Sequence, residues 1–453
     1  MEENRITLIE APEGAKFMNE FMNTLPTGIL NKKKTGCGAT SVALENEENT
    51  IVCCPTIQLI KSKTSQYPNS RCRFELFGIY ENVSADEIND YITNCTSNHQ
   101  PVKIMVTYNS FDKVKYAISN NITRYKIIVD EYQELLDAYI YRDKAILNLL
   151  QELKSLSNVT YLSATPIPYN FRPEELQNLN EYEIVWNENL TIVPLQFETD
   201  TPYSFVKNLI NRFKLGQPIK IGENEVREYY FFINSVRGIK EILEETGLTN
   251  KEVKIICANN RQNRKYLGGI PISNISDSNK PFTFCTKTVF CGADFYSEYG
   301  LAIIVSDGYN KNTMLDIETD IYQIAGRIRN ENNPFKNIIL HIFNTGTGCQ
   351  NETEFTAWLE DRTHSAQGII DAYNTVTQDE QKKAIIERIR IEGKDELALY
   401  NEITNEVKLN ILKINYFQYK FRSIDSVYKN SASIEDAYLT QLAGINLYLL
   451  CDQ

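Results

Sequence analysis

The sequence predicts an α/β protein in which parallel sheets are covered by helices and a helical region follows at the C-terminal end. Three observations support this class. Short apolar runs of strand length alternate with amphipathic stretches of helical length, which is the order typical of parallel sheets. The chain has 453 residues, enough for two or three domains at roughly 100–200 residues each. After about Thr353 the strand pattern ends and only helical patterns follow.

The predicted strands are short runs rich in β-branched and aromatic residues, as expected for strands buried on both faces of a sheet. They are Thr50–Cys54, Lys103–Thr107, Lys126–Val129, Val159–Leu162, Tyr229–Ile233, Val253–Cys257, Phe282–Cys285, Ala302–Ser306 and Ile338–Phe343. The predicted helices between and after them are Leu135–Ser155, Val236–Glu245, Thr377–Glu392, Lys394–Tyr419 and Ser433–Leu450.

A change of composition divides the series of strands. From Pro166 to about Pro218 the chain is rich in Asn, Glu and Pro, and the strand-like stretch Leu190–Phe197 is a candidate first strand of a second domain. We therefore expect a first domain at residues 1–170, a linker and second domain at 171–350, and a C-terminal helical region at 351–453.

Composition and charge exclude several classes of protein. The chain is 42% hydrophobic and 23% charged, which excludes a disordered or fibrous protein. Its net charge is −12, so a nucleic acid must bind at a local basic patch. No apolar run is long enough to span a membrane, and the opening MEENRITLIE lacks a signal-peptide pattern. The 10 cysteines include no C-x-x-C pair; we expect reduced thiols and a cytoplasmic location.

The most specific local pattern is an acidic pair at the end of a predicted strand. Asp130 and Glu131 follow the apolar run Ile127–Val129 directly, and α/β sheets bind ligands at the carboxyl ends of their strands. Paired carboxylates suit a magnesium ion and a water-activating base beside a phosphate chain. A turn that opens the next helix explains the same residues, because acidic side chains favour helix N-termini.

Three further patterns are weaker when each is taken alone. The segment 34–41, KTGCGATS, places closely spaced glycines before the helical stretch Val42–Glu47, which suits a phosphate cradle of backbone N–H groups at a helix N-terminus. A flexible turn is the alternative. Ser163 and Thr165 end another apolar run, where their hydroxyls can bond the acidic pair. The segment 323–329, QIAGRIR, carries two arginines suited to a phosphate contact from a second domain, or begins a solvated helix.

In their order along the chain, these four segments resemble the motifs of superfamily 2 helicases and translocases of the DEAD/DEAH-like type. They are similar to that family's phosphate loop, D-E-x-x box, S-A-T motif and Q-x-x-G-R motif, and the resemblance covers about residues 28–345. It implies two tandem RecA-like domains with parallel sheets that face each other across a nucleotide cleft. It also implies ATP and Mg²⁺ as cofactors.

The resemblance implies a role for each matched residue. The ATP-binding residues would be Lys34, Thr35, Gly36, Cys37, Gly38, Ala39, Thr40, Ser41, Gly292 and Asp294. Thr40 and Asp130 would hold Mg²⁺, and Glu131 would orient the attacking water. Gln323, Arg327 and Arg329 would complete the catalytic set, with the arginines stabilising charge on the γ-phosphate.

The same resemblance assigns nucleic-acid contacts to residues at strand ends in both domains. They are Pro55, Thr56, Thr107, Tyr108, Asn109, Ser110, Asn234, Ser235, Thr286 and Lys287. A separate stretch at 413–429 interleaves lysines, arginine and aromatics, a composition that can stack bases and contact phosphates. We favour the alternative that it is an amphipathic helix with buried aromatics.

Two positions depart from the family pattern. The phosphate loop of the family reads G-x-G-K-T, but Ala39 occupies its lysine position, which should cost much of the hydrolysis rate. Lys34 lies six residues before Thr40, at the spacing of an early lysine in deviant phosphate loops, and is either a substitute or part of a solvated basic patch at Lys32–Lys34. If Lys34 is not the substitute, the next candidates are Lys32, Lys33 or a second-domain residue such as Arg329. Asn330 stands where the family has its last arginine, with Arg329 one residue earlier.

The resemblance therefore implies a nucleic-acid-dependent ATPase, a helicase or translocase that acts in replication, recombination or repair. We expect a monomer that binds DNA in preference to RNA, works with replication proteins and resembles the small helicases of phages and mobile elements. The alternative is a catalytically silent, helicase-like scaffold that binds nucleic acid. A restriction-type translocase subunit would need a nuclease partner.

Overall fold

The computed structural model describes residues 6–80, 82–188, 192–346, 348–392, 396–402 and 404–441. It contains two parallel β-sheets, each covered by helices, and a C-terminal region. This architecture confirms the predicted fold class. Strands and helices are numbered here in chain order.

The first sheet has eight parallel strands in the spatial order β1-β8-β2-β7-β6-β3-β5-β4. Its strands are β1 (Thr7–Glu10), β2 (Gly28–Asn31), β3 (Thr50–Cys54), β4 (Phe77–Ile79), β5 (Lys103–Thr107), β6 (Lys126–Asp130), β7 (Val159–Ser163) and β8 (Glu181–Val185). Its helices are α1 (Ala39–Glu45), α2 (Ile57–Thr64), α3 (Ala85–Ser97), α4 (Phe111–Ile118), α5 (Glu134–Asp137) and α6 (Tyr139–Leu153). The predicted helix Leu135–Ser155 is thus divided at Ala138.

The first domain extends beyond the boundary predicted at residue 170. Strand β8 lies between β1 and β2 in the first sheet. The segment before it is held by a forked ion pair in which two guanidinium nitrogens of Arg172 lie 2.7 and 2.9 Å from the carboxylate oxygens of Glu181. The predicted boundary is therefore wrong, and the crossover to the second sheet falls between Val185 and Val193.

The second sheet has six parallel strands in the order β13-β14-β12-β15-β16-β9. Its strands are β9 (Val193–Glu198), β12 (Glu228–Phe232), β13 (Val253–Ile256), β14 (Phe282–Cys285), β15 (Gly300–Ser306) and β16 (Ile338–Phe343), and β10 (Lys220–Ile221) and β11 (Asn224–Glu225) form a separate hairpin. Its helices are α7 (Pro202–Lys214), α8 (Val236–Thr246), α9 (Arg261–Leu267) and α10 (Tyr322–Ala325). Strand β9 lies in the stretch predicted to begin this domain, although Leu190 and Thr191 are outside the described residues.

The C-terminal region combines helices with a β-hairpin. Its helices are α11 (Glu352–Thr375), α12 (Asp379–Glu392), α13 (Ile411–Lys420) and α14 (Ser431–Gln441), and its hairpin pairs β17 (Ala398–Asn401) with β18 (Glu406–Leu409). The helix predicted at Lys394–Tyr419 is therefore wrong in its first half. Asn405 turns the chain with φ = 54°, a left-handed conformation that Asn tolerates well, and Ala398 and Val407 pack on α11. Residues 442–450 of the last predicted helix lie outside the described residues.

The C-terminal region packs against both α/β domains. Leu412 and Tyr419 of α13 belong to the core of the first domain, whereas Tyr428 and Tyr438 belong to that of the second. The aromatics of 413–429 are thus largely turned inward, as the favoured interpretation of that stretch predicted. Lys413 is buried as well, with its ammonium 2.7 Å from the carbonyl oxygen of Glu396.

Candidate nucleotide site

A cleft of about 690 Å³ separates the two α/β domains, a size within the range of roughly 300–1,000 Å³ typical of ligand pockets. Both domains line it. Its described lining contains eight basic side chains and five acidic ones, so the cleft is net positive in a chain whose net charge is −12. Such a lining attracts a polyanionic ligand. The basic residues are Lys16, Lys32, Lys34, Lys63, Arg71, Arg327, Arg329 and Lys336.

The acidic pair lies at the carboxyl end of β6, on the floor of this cleft. Asp130 Oδ2 accepts a hydrogen bond of 3.1 Å from the hydroxyl of Thr40. Glu131 Oε1 lies 2.7 Å from Lys32 Nζ, which is also 3.8 Å from Asp130 Oδ1. Glu131 has φ = 51°, a left-handed conformation that costs of order 1–3 kcal/mol at a non-glycine residue and is common at functional sites.

Burial and charge move the pKa values of the pair in opposite directions. Burial raises the pKa of Asp130, although Lys32 opposes the shift. Burial also acts to raise the pKa of Glu131, but the charge and hydrogen bond of Lys32 outweigh it and the net shift is downward. Glu131 is therefore held as a carboxylate, the form that can accept a proton from water.

Tyr108 stabilises the turn at the acidic pair from the interior of the first domain. Its hydroxyl lies 2.7 Å from the carbonyl oxygen of Asp130 and 3.2 Å from that of Glu131, and the side chain is buried. The backbone N–H of Glu131 also donates to Asp130 Oδ1, at 3.1 Å. The predicted nucleic-acid contact by Tyr108 is not supported, because its ring and hydroxyl face the interior.

We expect Tyr108→Phe to destabilise the protein without weakening nucleic-acid binding. Two buried carbonyl oxygens would lose their side-chain donor, at a cost of about 1–3 kcal/mol. Urea unfolding and single-strand binding by fluorescence anisotropy measure the two effects. Tyr116→Phe is the control, since this tyrosine is 79% exposed. Weaker binding at unchanged stability would restore Tyr108 to the nucleic-acid surface.

The predicted phosphate loop closes directly against the second domain. Gly36 and Gly38 have φ values of 64° and 78°, which favour glycine. A Cβ atom on Gly36 would lie 2.3 Å from the guanidinium carbon of Arg329, and one on Gly326 would lie 1.8 Å from Thr35 Oγ1. At Gly326 the short Thr35 side chain leaves no room for a Cβ atom, whereas at Gly36 a side chain would have to displace the Arg329 guanidinium group in addition to adopting a left-handed conformation.

The remaining loop side chains lie apart from the acidic pair. Cys37 is buried, with its Sγ 3.5 Å from Met18 Sδ, and burial raises the pKa of its thiol. Ala39 is buried, and Ser41 Oγ lies 3.4 Å from the hydroxyl of Tyr67. Lys34 forms an ion pair with Glu188 and donates to the carbonyl oxygen of Lys16 at 3.0 Å. Its ammonium lies over the Trp186 ring, 4.9 Å from the ring centroid.

A chain of hydrogen bonds joins the S-A-T segment to the arginine segment through Glu131. The Ser163 hydroxyl donates to Gln133 Oε1 at 2.6 Å, and Gln133 Nε2 donates to Glu131 Oε2 at 2.8 Å. From the second domain, Gln323 Nε2 donates to the same Glu131 oxygen at 3.0 Å. Arg327 then bonds Gln323 Oε1 at 3.1 Å. Glu131 therefore accepts hydrogen bonds from both domains.

The other second-domain residues predicted for ATP binding also line the cleft. Arg329 Nε lies 2.7 Å from Asp294 Oδ1 and its NH1 donates to the carbonyl oxygen of Thr35 at 3.2 Å. Burial acts to raise the pKa of Asp294, but Arg329 outweighs it and the net shift is downward. Gly292 has φ = 84°, and a Cβ atom there would lie 2.6 Å from Leu59 of α2. These contacts bring the two domains together around the loop.

The predicted nucleic-acid residues lie at the carboxyl ends of adjacent strands in each sheet. Cys54 pairs with Thr107 in the first sheet, and Phe232 with Cys285 in the second, so the segments after each pair are neighbours. Asn109 is exposed, Thr56, Asn234 and Ser235 are half-buried, and Pro55, Thr107, Ser110 and Thr286 are buried. Thr56 and Ser235 cap α2 and α8 through their side chains.

Lys287 is committed to an ion cluster at the junction of the three regions. Its ammonium pairs with Asp137 of α5 and lies 3.2 Å from Asp320 Oδ1. Asp137 also pairs with Lys420 of α13. The predicted phosphate contact by Lys287 would have to break these ion pairs, so its observed role is to join the two domains and the C-terminal region.

Sequence reasoning left Gln133 out of the predicted site and considered Lys32 only as a second choice after Lys34. Gln133 lies in the acidic segment itself, and its position three residues after Asp130 could have indicated it. Lys32 comes after the apolar stretch Gly28–Leu30, with Asn31 between them. A strand prediction there would have placed Lys32 at the same sheet edge as the acidic pair.

Comparison with known proteins gives likeness in structure only. No family model and no curated protein matches the sequence. The DEAD-box helicase Mss116 bound to ssRNA and UDP-BeF is 13% identical with a TM-score of 0.47, and the match covers 96% of this chain and 94% of that chain. Saccharomyces cerevisiae Dbp5 bound to Gle1 and IP6 is 13% identical with a TM-score of 0.43, covering 82% and 89%.

A third structure is Mycobacterium smegmatis helicase Lhr bound to ssDNA and AMP-PNP, at 12% identity and a TM-score of 0.43. The match covers 86% of this chain but spans only 57% of that helicase. The fold here is two tandem RecA-like domains. Two of these three structures, Lhr and Mss116, are of helicases. Within the described part of the chain, no helix has the length and apolar character needed to cross a membrane.

Proposed function

We propose that the protein is a nucleic-acid-dependent ATPase of the superfamily 2 helicase or translocase type. The observation that carries the proposal is the net-positive interdomain cleft, where Thr40, Asp130 and Glu131 of one domain meet Gln323 and Arg327 of the other. This arrangement combines an anion site with a magnesium-type donor set and a base that both domains contact.

The donor set fits a hydrated magnesium ion. The Thr40 hydroxyl and the Asp130 carboxylate are hard oxygen donors already 3.1 Å apart, and Mg²⁺ in ATPases is held by one or two such groups together with phosphate oxygens and water. These two residues would hold the ion. When bound, Mg²⁺ neutralises charge on the phosphates.

The chain's own residues supply the remaining chemistry. Glu131, held as a carboxylate, orients the attacking water and accepts its proton. Arg327 lies against the acidic centre through Gln323, and Arg329 reaches the phosphate loop. Both guanidinium groups are placed to stabilise charge on the transferred phosphoryl group when the cleft is loaded. The hydrogen bonds through Glu131 couple this step to the positions of both domains.

The nucleic acid would lie across the strand ends that follow β3, β5, β12 and β14. Thr56, Asn109 and Ser235 offer hydroxyl and amide groups there, and contacts of this kind position a phosphate backbone without many cations. Asn234 lies beside them, with its amide bonded to Asn312 and to the backbone of Lys287. We favour DNA over RNA and a role in replication, recombination or repair, in a monomer of the small phage and mobile-element type acting with replication proteins.

The direct test is ATP hydrolysis by the purified chain alone, with single-stranded DNA and with single-stranded RNA. We expect stimulation by DNA greater than that by RNA. Tight DNA binding with no hydrolysis above background would instead support the silent scaffold, which the alanine at position 39 makes a specific alternative. Unstimulated hydrolysis would argue against a nucleic-acid motor.

A further inference from the structure

We propose that Lys32, which lies before the phosphate loop at the end of β2, supplies the phosphate-binding positive charge that is absent at Ala39. The inference rests on the proposed ATPase function and names the residue that makes it workable. In phosphate-loop ATPases one lysine reaches the β- and γ-phosphates beside the magnesium ligands. Here the loop itself offers alanine at that position.

The ammonium group of Lys32 lies where such a charge is needed. It is 3.8 Å from Asp130 Oδ1, while the Thr40 hydroxyl binds the other oxygen of the same carboxylate at 3.1 Å. The Lys32 ammonium and the Thr40 hydroxyl therefore lie on the two oxygens of the Asp130 carboxylate, beside the predicted magnesium position. The side chain lines the cleft and is only 7% exposed, so its charge acts with little screening by water.

The backbone of Lys32 is held on both sides, which fixes where its side chain starts. Its N–H donates to the carbonyl oxygen of Ser163 at 2.8 Å, continuing the β2–β7 pairing. Its own carbonyl oxygen accepts from the indole N–H of Trp186 at 2.8 Å. An ammonium placed from such a fixed backbone is a preorganised charge, the kind that contributes most to transition-state stabilisation.

The neighbouring lysines are committed elsewhere. Lys34, the first candidate substitute from loop spacing, pairs with Glu188 and lies over the Trp186 ring. Lys33 Nζ lies 3.2 Å from Glu183 Oε2, with the side chain 46% exposed. Lys32 is the lysine of this triplet that lies against both members of the acidic pair.

The ion pair between Lys32 and Glu131 also indicates how the site would change when ATP binds. The Lys32 ammonium is 2.7 Å from Glu131 Oε1, so a phosphate group that binds Lys32 competes with Glu131 for the same charge. Glu131 would then be freer to bind the attacking water. The ion pair thus keeps both groups buried and neutralised until an anion enters the cleft.

The decisive comparison is made in the Glu131→Gln background. The Lys32–Glu131 ion pair is already absent there, so an added Lys32 substitution cannot weaken ATP binding merely by breaking that pair. ATP affinity is measured with a fluorescent ATP analogue for Glu131→Gln and for Lys32→Met/Glu131→Gln. The methionine keeps the apolar stem and removes the charge. We expect the double variant to bind ATP at least about 10-fold more weakly, since the substitution removes a charge-assisted hydrogen bond to phosphate. Equal affinities would overturn the proposal.

Hydrolysis and rescue provide the second readout. Lys32→Met alone should lower ATP turnover by about 10²–10³-fold, the effect of removing one preorganised hydrogen-bond donor, and Ala39→Lys added to it should restore part of the turnover and ATP affinity. Lys33→Met is the matched control and should behave as wild type. If Lys34→Met lowers turnover and Lys32→Met does not, the inference is wrong.

Two outcomes separate this inference from the function on which it rests. A wild-type chain that neither binds nor hydrolyses ATP would refute the proposed function and this inference together. A wild-type chain that hydrolyses ATP, with Lys32→Met folded and inactive but not restored by Ala39→Lys, would leave the function standing. That result would assign Lys32 to the support of Glu131 and overturn its role at the phosphates.

Discussion

Glu131→Gln is expected to reduce ATP hydrolysis by about 10²–10⁴-fold, the range that a positioned general base contributes, while ATP binding remains measurable. Glutamine keeps the shape that accepts hydrogen bonds from Gln133 and Gln323, but it lacks the negative charge that takes a proton from water. Steady-state phosphate release and equilibrium binding of a fluorescent ATP analogue separate the two properties.

Asp130→Ala should remove hydrolysis for a different reason, because it eliminates one of the two magnesium-type donors. Its ATP affinity should also become independent of Mg²⁺, whereas Glu131→Gln should keep that dependence. Glu331→Gln is the matched control, since this carboxylate lies on the cleft rim and its ion pair within the described part of the chain is with Lys336. Wild-type turnover in both variants of the acidic pair would remove these residues from the catalytic centre.

Asp137→Ala is expected to destabilise the protein by about 1.5–3 kcal/mol, the usual contribution of hydrogen bonds to charged groups, because the ion pairs of Asp137 are only partly buried. Asp137 pairs with both Lys287 and Lys420. Its removal would leave two half-buried ammonium groups, with Asp320 and Glu134 as the carboxylates that still act on Lys287. Urea unfolding with fluorescence detection measures the effect. Asp143→Ala on the exposed face of α6 is the control and should stay within about 0.5 kcal/mol of wild type.

The pH dependence of this deficit follows from the direction of the Asp137 pKa shift. Burial acts to raise the pKa, but Lys287 and Lys420 outweigh it and hold the folded-state value below the ordinary one. A depressed carboxyl pKa stabilises the fold above the unfolded-state value of about 3.9. The stabilisation is lost as the pH falls below that value toward the folded-state pKa. Wild type and Asp137→Ala should therefore converge in acid, and a constant difference from pH 7 to pH 3 would contradict the ion-pair explanation.

Strand positions and local motifs were accessible from the sequence because they depend on neighbouring residues. The strands β3, β5, β14 and β16 match the predicted ranges, since each is a short, largely apolar run bounded by polar residues or proline. Parallel sheets collect the carboxyl ends of their strands at one edge. The chain order of the motifs therefore indicated that Thr40, Asp130 and Glu131 would meet, and the observed hydrogen bond between Thr40 and Asp130 follows the same geometry.

The predicted secondary structure and domain boundary were wrong where the local sequence pattern favours one structure and tertiary packing selects another. The hairpin β17–β18 was assigned to a helix because its few apolar residues also fit a helical period. Packing against α11 decides for the hairpin. The first domain was ended too early because β8 reads as a polar strand, and only its pairing between β1 and β2 assigns it to the first sheet.

The sequence by itself determined the fold class and the position of the acidic pair at the end of a strand, because both are encoded in short segments. Only the tertiary structure decided which charges face one another. Lys32 and Glu131 lie 99 residues apart in the chain and Gln323 and Glu131 lie 192 apart. Spacing within a motif cannot reveal such pairs. A side chain's partner depends on which strand ends become neighbours. Loop spacing therefore offered Lys34 as the first candidate for a substitute lysine, whereas the sheet order places Lys32 beside the acidic pair.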